Sequence, residues 1–264
     1  MKIACVCGYY VEHFAMTMTE EQIKMHQILF NSAIKFFMKD CDVDYIFVTN
    51  TETKIDNVIN LKIEEKVNCF HDMLIMKILC YKYLQDYDYV FILEGDEIIV
   101  NHITKDLLNY EFNLQEHLSK PKIFDILPSA SKKIKINGDL NNDWKIGCFF
   151  GGKKEVFLEL YKFTLVNYNL NFIKTEKIEQ EKYTDEVFLN KFFNEKQYEI
   201  NSLGFIDIHK KEDIQEKTAF LSGFYNTEEF VKITQSEMKY TKIIHDTKKD
   251  INFIEKHFKK YYEI

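Results

Sequence analysis

The stretch "DYDYVFILEGDEIIV", Asp86 to Val100, ends an apolar run on Glu94-Gly95-Asp96 and then turns apolar again. Two carboxylates flanking one residue can converge on a hard cation, and Mg²⁺ or Mn²⁺ takes one or two carboxylates together with substrate phosphates. Such a metal suits a diphosphate leaving group, whose charge grows as its bond breaks. The plainer reading is a strand that ends in a solvated acidic turn, with Glu97 as one more surface acid. A second acid pair, Asp185-Glu186, lies in "YTDEVFLNKFF". Acids in the first turn of a helix are also placed there simply by the helix dipole.

The composition bounds what these acids can serve. All 35 basic residues are lysine, against 42 acids, for a net charge of −7. That balance argues against nucleic acid as a partner, because phosphate backbones bind a basic face. A phosphate here must be held by lysine, backbone N–H or metal, never by a bidentate guanidinium. The six cysteines sit mostly in apolar runs with no CxxC pair, which predicts buried free thiols and no zinc. The opening "MKIACVCGYY" is too short an apolar run for a signal peptide, and no uncharged run of about 18 residues is long enough to span a bilayer. A reduced, cytoplasmic compartment is expected, with a location at the inner membrane face left open.

The elements that position the acids follow from periodicity. "KIACVCG" reads as a buried strand ending at Gly8. "TEEQIKMHQILFNSAIKFFMKDC" reads as a helix capped by Thr19. "VDYIFVTN" and "VINLKIEE" read as strands, "CFHDMLIMKILCYKYLQDY" as a buried helix, and "YVFIL" as a strand covered on both faces. Strand, helix, strand, strand, helix, strand is α/β order. Ligands of such sheets collect beyond the carboxyl ends of the strands, where Glu94-Gly95-Asp96 falls. Further on, "KIFDILPS" reads as a strand, "SKKIKINGDLNND" as a polar loop, and "WKIGCFFGGKKEVFLELYKFTLVNYNL" as strand, Gly-Gly turn and helix. "YTDEVFLNKFF" reads as a helix, "MKYTKIIHDTKKD" as a strand running into a turn, and "INFIEKHFKKYYEI" as an amphipathic helix. With only two prolines and eight glycines, the 264 residues are expected to form one α/β domain. Within it, 1–100 is read as a first half, 101–240 as a second half and 241–264 as a C-terminal segment.

Four separated segments resemble the retaining glycosyltransferases of family 6, relatives of the blood-group A and B transferases and of α-1,3-galactosyltransferase. "GYYVEHF" is similar to the family's opening G-x-Y-[IV]-x-x-[FY]. Glu94-Gly95-Asp96 stands where the family has D-x-D. "IGCFFGGKKEVFLELYK" is similar to its G-[GA]-F-F-G-G, and "YTDEVFLNKFF" to its W-H-D-E-S-x-[LI]-N-K-Y. The resemblance implies a GT-A fold, a mixed Rossmann-like sheet flanked by helices. It also implies transfer of a hexose or N-acetylhexosamine, galactose or N-acetylgalactosamine, from a UDP-sugar to a glycan acceptor in surface-polysaccharide or lipooligosaccharide synthesis. The implied cofactor is Mn²⁺ or Mg²⁺ on Glu94 and Asp96, although some bacterial relatives carry amides there and work without metal.

By the same carry-over, Val6, Cys7 and Tyr10 flank uracil and ribose. Ile146, Gly147, Cys148 and Gly151 shape the donor-sugar pocket, and the glycines are expected to allow positive φ and close approach of the sugar. Asp185 bonds the donor sugar, Glu186 lies beside the anomeric carbon, and Tyr183 stacks on the acceptor. Lys248 matches a lysine that closes over the diphosphate, and His245 is a candidate for the metal or the pyrophosphate. Lys77 stands in for a family arginine, and Leu127-Pro128 replaces the family's acceptor-binding His-Pro, which points to a different acceptor. The acids at 94 and 96 are expected to meet those at 185 and 186 across one cleft wide enough for a sugar diphosphate. A GT-A enzyme of another family, retaining or inverting, and a non-catalytic nucleotide-sugar-binding protein remain alternatives. The C-terminal helix, with Lys256, Lys259 and Lys260, is a candidate for peripheral membrane contact but is expected to pack on the domain.

Overall fold

In β1 (Ile3–Tyr9), Ile3, Cys5 and Cys7 point into one apolar cluster and Ala4 and Val6 into another, so the strand is buried on both faces. This is the pattern of a parallel strand between two layers of helix, and β1 pairs in parallel with β2 (Val43–Thr49) and β4 (Tyr89–Leu93). The computed structural model describes residues 1–11, 18–67, 70–117, 145–168, 185–207, 218–223, 243–246 and 251–264. Tyr183, Lys248, "KIFDILPS" and "SKKIKINGDLNND" lie outside the described residues.

Among the described residues one mixed sheet runs in the order β3-β2-β1-β4-β7-β6-β8-β9-β10-β5. Its remaining strands are β3 (Ile59–Lys62), β5 (Glu97–Ile99), β6 (Phe112–His117), β7 (Lys145–Lys153), β8 (Ile200–Asp207), β9 (Thr218–Gly223) and β10 (Ile243–Asp246). Helices α2 (Phe70–Leu79), α3 (Lys154–Asn167) and α4 (Asp185–Glu195) cover one face, through Ile75, Met76, Phe157, Leu160, Phe188 and Phe192. Helix α1 (Glu20–Phe36) covers the other through Leu29, Phe30 and Ala33. The fold is therefore the expected mixed α/β sheet flanked by helices, with a Rossmann-like first half.

The expected cap of α1 is present. Thr19 Oγ1 accepts from Gln22 N at 3.2 Å while Gln22 Oε1 accepts from Thr19 N at 2.8 Å, a reciprocal capping box. Helix α5 (Ile251–Phe258) packs Ile251, Ile254 and Phe258 against Met25 and Ile28 of α1 and Ile98 of β5. Its apolar side is thus spent inside the molecule, and Lys256, Lys259 and Lys260 are exposed. No helix among the described residues is long and apolar enough to cross a membrane. Cys5, Cys7, Cys80 and Cys148 are buried free thiols and Cys41 is half-buried; Cys69 lies outside the described residues.

Chain connectivity bends the sheet. β4 and β5 are fourth and tenth in the order, and the turn Glu94-Gly95-Asp96 alone joins them. Six strand spacings are about 29 Å in a flat sheet, whereas the few residues of that turn reach only about 14 Å. The sheet must therefore curl until its far edge returns to the end of β4. There β10 pairs antiparallel with β5, with His245 opposite Glu97, so the closing segment binds directly to the strand that follows the acids.

Two sequence expectations are corrected in β7. Gly151 and Gly152 do not form a turn; they lie within the strand, paired to β4 and β6, and neither has positive φ. A Cβ on Gly151 would strike Val90 O and the Cα of Phe91, so the close approach of β4 requires glycine there. We therefore predict that Gly151→Ala lowers stability by about 1–3 kcal/mol, the usual cost of overpacking. Urea unfolding checks this, and a stability equal to wild type would contradict it.

Candidate functional site

The chain leaves β1 for β2 on one side of the sheet, and β4 joins β1 on the other, so the strand order reverses between β1 and β4. A crevice opens beyond the carboxyl ends of strands at such a point. A cleft of about 550 Å³ occupies it, lined by Gly8, Tyr9 and Tyr10 after β1, Glu94, Gly95 and Asp96 after β4, and Thr19, Gln22 and His26 of the α1 start. Met25, Met73 and Leu74 give it an apolar wall, and Lys77 closes it on the α2 side. Of the residues expected to meet the nucleotide, Tyr10 lines this cleft. Val6 and Cys7 are fully buried in the two cores on either side of β1.

The acidic turn is built by its neighbour. Glu94 N donates to Glu97 Oε2 at 2.9 Å, and Glu97 N donates to Glu94 O at 3.3 Å. Glu97 is fully buried, which corrects its reading as a surface acid. It holds the turn shut from below, while Glu94 and Asp96 stay half-buried at the cleft. At Gly95 a Cβ would collide with Nε2 and Cε1 of His26, so only glycine fits between the two acids. His26 was not singled out in the sequence, where it is one residue of an amphipathic helix.

The two acid pairs do meet, and Lys77 stands between them. Its ammonium donates to Glu94 Oε1, to Asp185 Oδ2 at 2.8 Å and to Gly147 O at 3.5 Å. Burial pushes the Lys77 ammonium down, but Asp185 and Glu94 more than offset this and hold it well above its usual value. Asp185 is also raised, first by burial and then by Glu94, against the lowering effect of Lys77. The Lys77 shift thus comes from its two carboxylate partners, and the Asp185 shift comes first from burial, with the nearby Glu94 charge adding to it. The expectation of an open gap between the pairs is thereby corrected. The described cleft is lined by Glu94 and Asp96, and Asp185 is buried behind Lys77.

A bulge in β7 turns its backbone toward α4. Leu114 pairs with Phe150 but Gln115 pairs with Ile146, so residues 147–149 leave the β6 ladder. Bulges of this kind re-aim groups beside functional sites. Gly147 N donates to Glu186 Oε1 at 3.4 Å, and a Cβ on Gly147 would strike the Asp185 carboxylate. Burial pushes the Cys148 thiol well up, helped by the charges of Glu94 and Glu97. Ile146 is placed by its backbone alone, beside this bulge.

A divalent cation fits the donor chemistry of Glu94 and Asp96, two hard oxygen ligands at the rim of a cleft. Among the described residues no three His, Cys, Asp or Glu side chains are gathered into a ready-made metal cage. The pair therefore suits a cation that brings phosphate oxygens with it. The backbone of His245 lies beside Glu97 through the β5–β10 pairing.

Removing the lysine tests the bridge. Lys77→Met keeps the volume and strands two carboxylates, and breaking a buried pair in this way costs about 3–5 kcal/mol. We predict a loss of that size in urea unfolding, partly recovered when Asp185→Asn is added; an unchanged stability would refute the bridge. No protein-family model matches the chain, and no curated protein matches it.

Proposed function

We propose that this protein is a retaining glycosyltransferase of the GT-A type, similar to family 6, that moves a hexose or N-acetylhexosamine from a UDP-sugar to a glycan acceptor. The observation that carries the reading is the Lys77 bridge. It joins Glu94, at the end of β4, to Asp185, the first residue of α4, with Glu186 one residue on and bonded to Gly147. Residues expected to serve the diphosphate and residues expected to serve the sugar thus share one cation at the edge of a crevice suited to a nucleotide.

In this reading the base and ribose lie along Gly8, Tyr9 and Tyr10, against Met25, Met73 and Leu74. Glu94 and Asp96 would hold a divalent cation together with phosphate oxygens, and that cation would supply positive charge to the departing diphosphate. Glu186 is the half-buried acid of the second pair and is aimed by Gly147 N–H. It stabilises the oxocarbenium-like centre, either by direct attack or by its charge. Asp185 does not meet the sugar openly; it orients Lys77, whose ammonium reaches the sugar side of the turn. The acceptor's proton passes to the leaving phosphate, so no separate base is required.

Two measurements test this. Glu186→Gln is expected to keep Mn²⁺-dependent binding of UDP-galactose or UDP-N-acetylgalactosamine within a few-fold, and to lower donor hydrolysis and transfer by about a hundredfold or more. Turnover at the wild-type rate in that variant would refute the role of Glu186. Chelation by EDTA is expected to stop turnover and added Mn²⁺ to restore it. Full activity in excess chelator would make Glu94 and Asp96 structural.

A further inference from the structure

We infer that the buried hydrogen bond between Tyr168 and Asp72 positions the Lys77 bridge: it fixes where α2 stands against α3, and so where the Lys77 ammonium meets Glu94, Asp185 and Gly147. The inference rests on the bridge itself and, for one arm of its test, on the glycosyltransferase reading. The Tyr168 hydroxyl donates to Asp72 Oδ1. Asp72 stands in the first turn of α2, the helix that carries Lys77, and is only 1 % exposed. Tyr168 ends α3, where its N–H donates to Thr164 O at 2.8 Å. Its ring meets Phe188 edge-on, with centroids 6.0 Å apart, and Phe188 belongs to the first turns of α4 with Asp185 and Glu186. One side chain thus touches all three helices on this face of the sheet.

Apolar packing by itself lets a helix slide, because burial scales with area and has no direction. Polar contacts between fixed atoms remove that freedom, and α2 has one to α3 on either side of Lys77. Before Lys77 it is Asp72 with Tyr168. After Lys77, in the short 3-10 turn Cys80–Tyr83, the Tyr81 hydroxyl donates to Lys154 O at 3.0 Å and the ring stacks on Phe157 at 5.0 Å. Lys154 directly follows Lys153, the last residue of β7, which is the strand that gives Gly147 to the bridge. Helix α2 is therefore referenced to the same elements that carry the acceptors of Lys77. A carboxyl buried in this apolar layer is costly, and the Tyr168 hydroxyl offsets that cost only while α2 holds its place.

The test is a double-mutant cycle on the full chain. Tyr168→Phe keeps the ring against Phe188 and removes the hydroxyl alone. It is expected to lower the urea midpoint of the wild type, and to lower it about half as much or less in Lys77→Met/Asp185→Asn, where no bridge is left to misplace. Groups that act independently shift the midpoint equally in both backgrounds, and equal shifts overturn the inference. Should the bridge-free background fail to fold, ¹⁵N NMR reads the buried ammonium in Tyr168→Phe alone. Its exchange with water is expected to be about tenfold faster than in the wild type, and an unchanged rate overturns the inference. In the glycosyltransferase reading, Tyr168→Phe also lowers kcat for UDP-sugar hydrolysis about tenfold, with KM held within a few-fold. A coupled cycle in a protein whose wild type hydrolyses no UDP-sugar supports the positioning role and overturns that reading alone.

Discussion

One buried ammonium ties the site together. Lys77 belongs to the last turn of α2, where the helix dipole favours a cation, and its partners come from β4, β7 and α4. Bringing Glu94 and Asp185 into one buried place without it would leave two like charges facing each other at low dielectric, which is costly. A compact ammonium with three donors can serve two carboxylates and a carbonyl from different directions. A chain without arginine has thus reached a three-way junction by the means open to it.

Around that junction each local irregularity has a structural cause. The β7 bulge frees Gly147 N and O for Glu186 and Lys77, and Gln115 Oε1 takes up the Phe149 N–H that leaves the ladder, at 3.2 Å. The acidic turn is closed by Glu97 beneath and fitted against His26 above, which leaves no room for a side chain at Gly95. The curl of the sheet then brings β10 against β5, so the last strand and helix brace the same turn. Precise placement of ligating groups needs support of this kind, because a small displacement of the first contacts is felt directly in the chemistry.

Much of the first hundred residues was legible because its signals are local. The cap at Thr19, the two-face burial of β1 and β4 and the position of Glu94 at a strand end all follow from residue type and spacing. What escaped the sequence depends on contacts distant along the chain. Strand β6 carries a mixed pattern because Asn113 and Gln115 are buried polar residues, so alternation does not mark it. Gly151-Gly152 reads as a turn by composition, yet it is strand because β4 backbone presses on it. Glu97 reads as a surface acid until Glu94 N–H is seen to need a partner. His26 looks like any helical histidine until the turn that it touches is folded against it.

The charge balance of the cleft gives the last step. Its described lining carries the carboxylates Glu21, Glu94 and Asp96 against a single lysine, and that lysine is already shared with Asp185. A sugar diphosphate entering alone would add negative charge to a wall that already has an excess, and with apolar Met25, Met73 and Leu74 nearby the repulsion is poorly screened. The same wall attracts a divalent cation, whose two positive charges can be divided between carboxylates and phosphates. Under the proposed function, the acids that would repel a bare diphosphate from this cleft would favour a diphosphate carried with its metal.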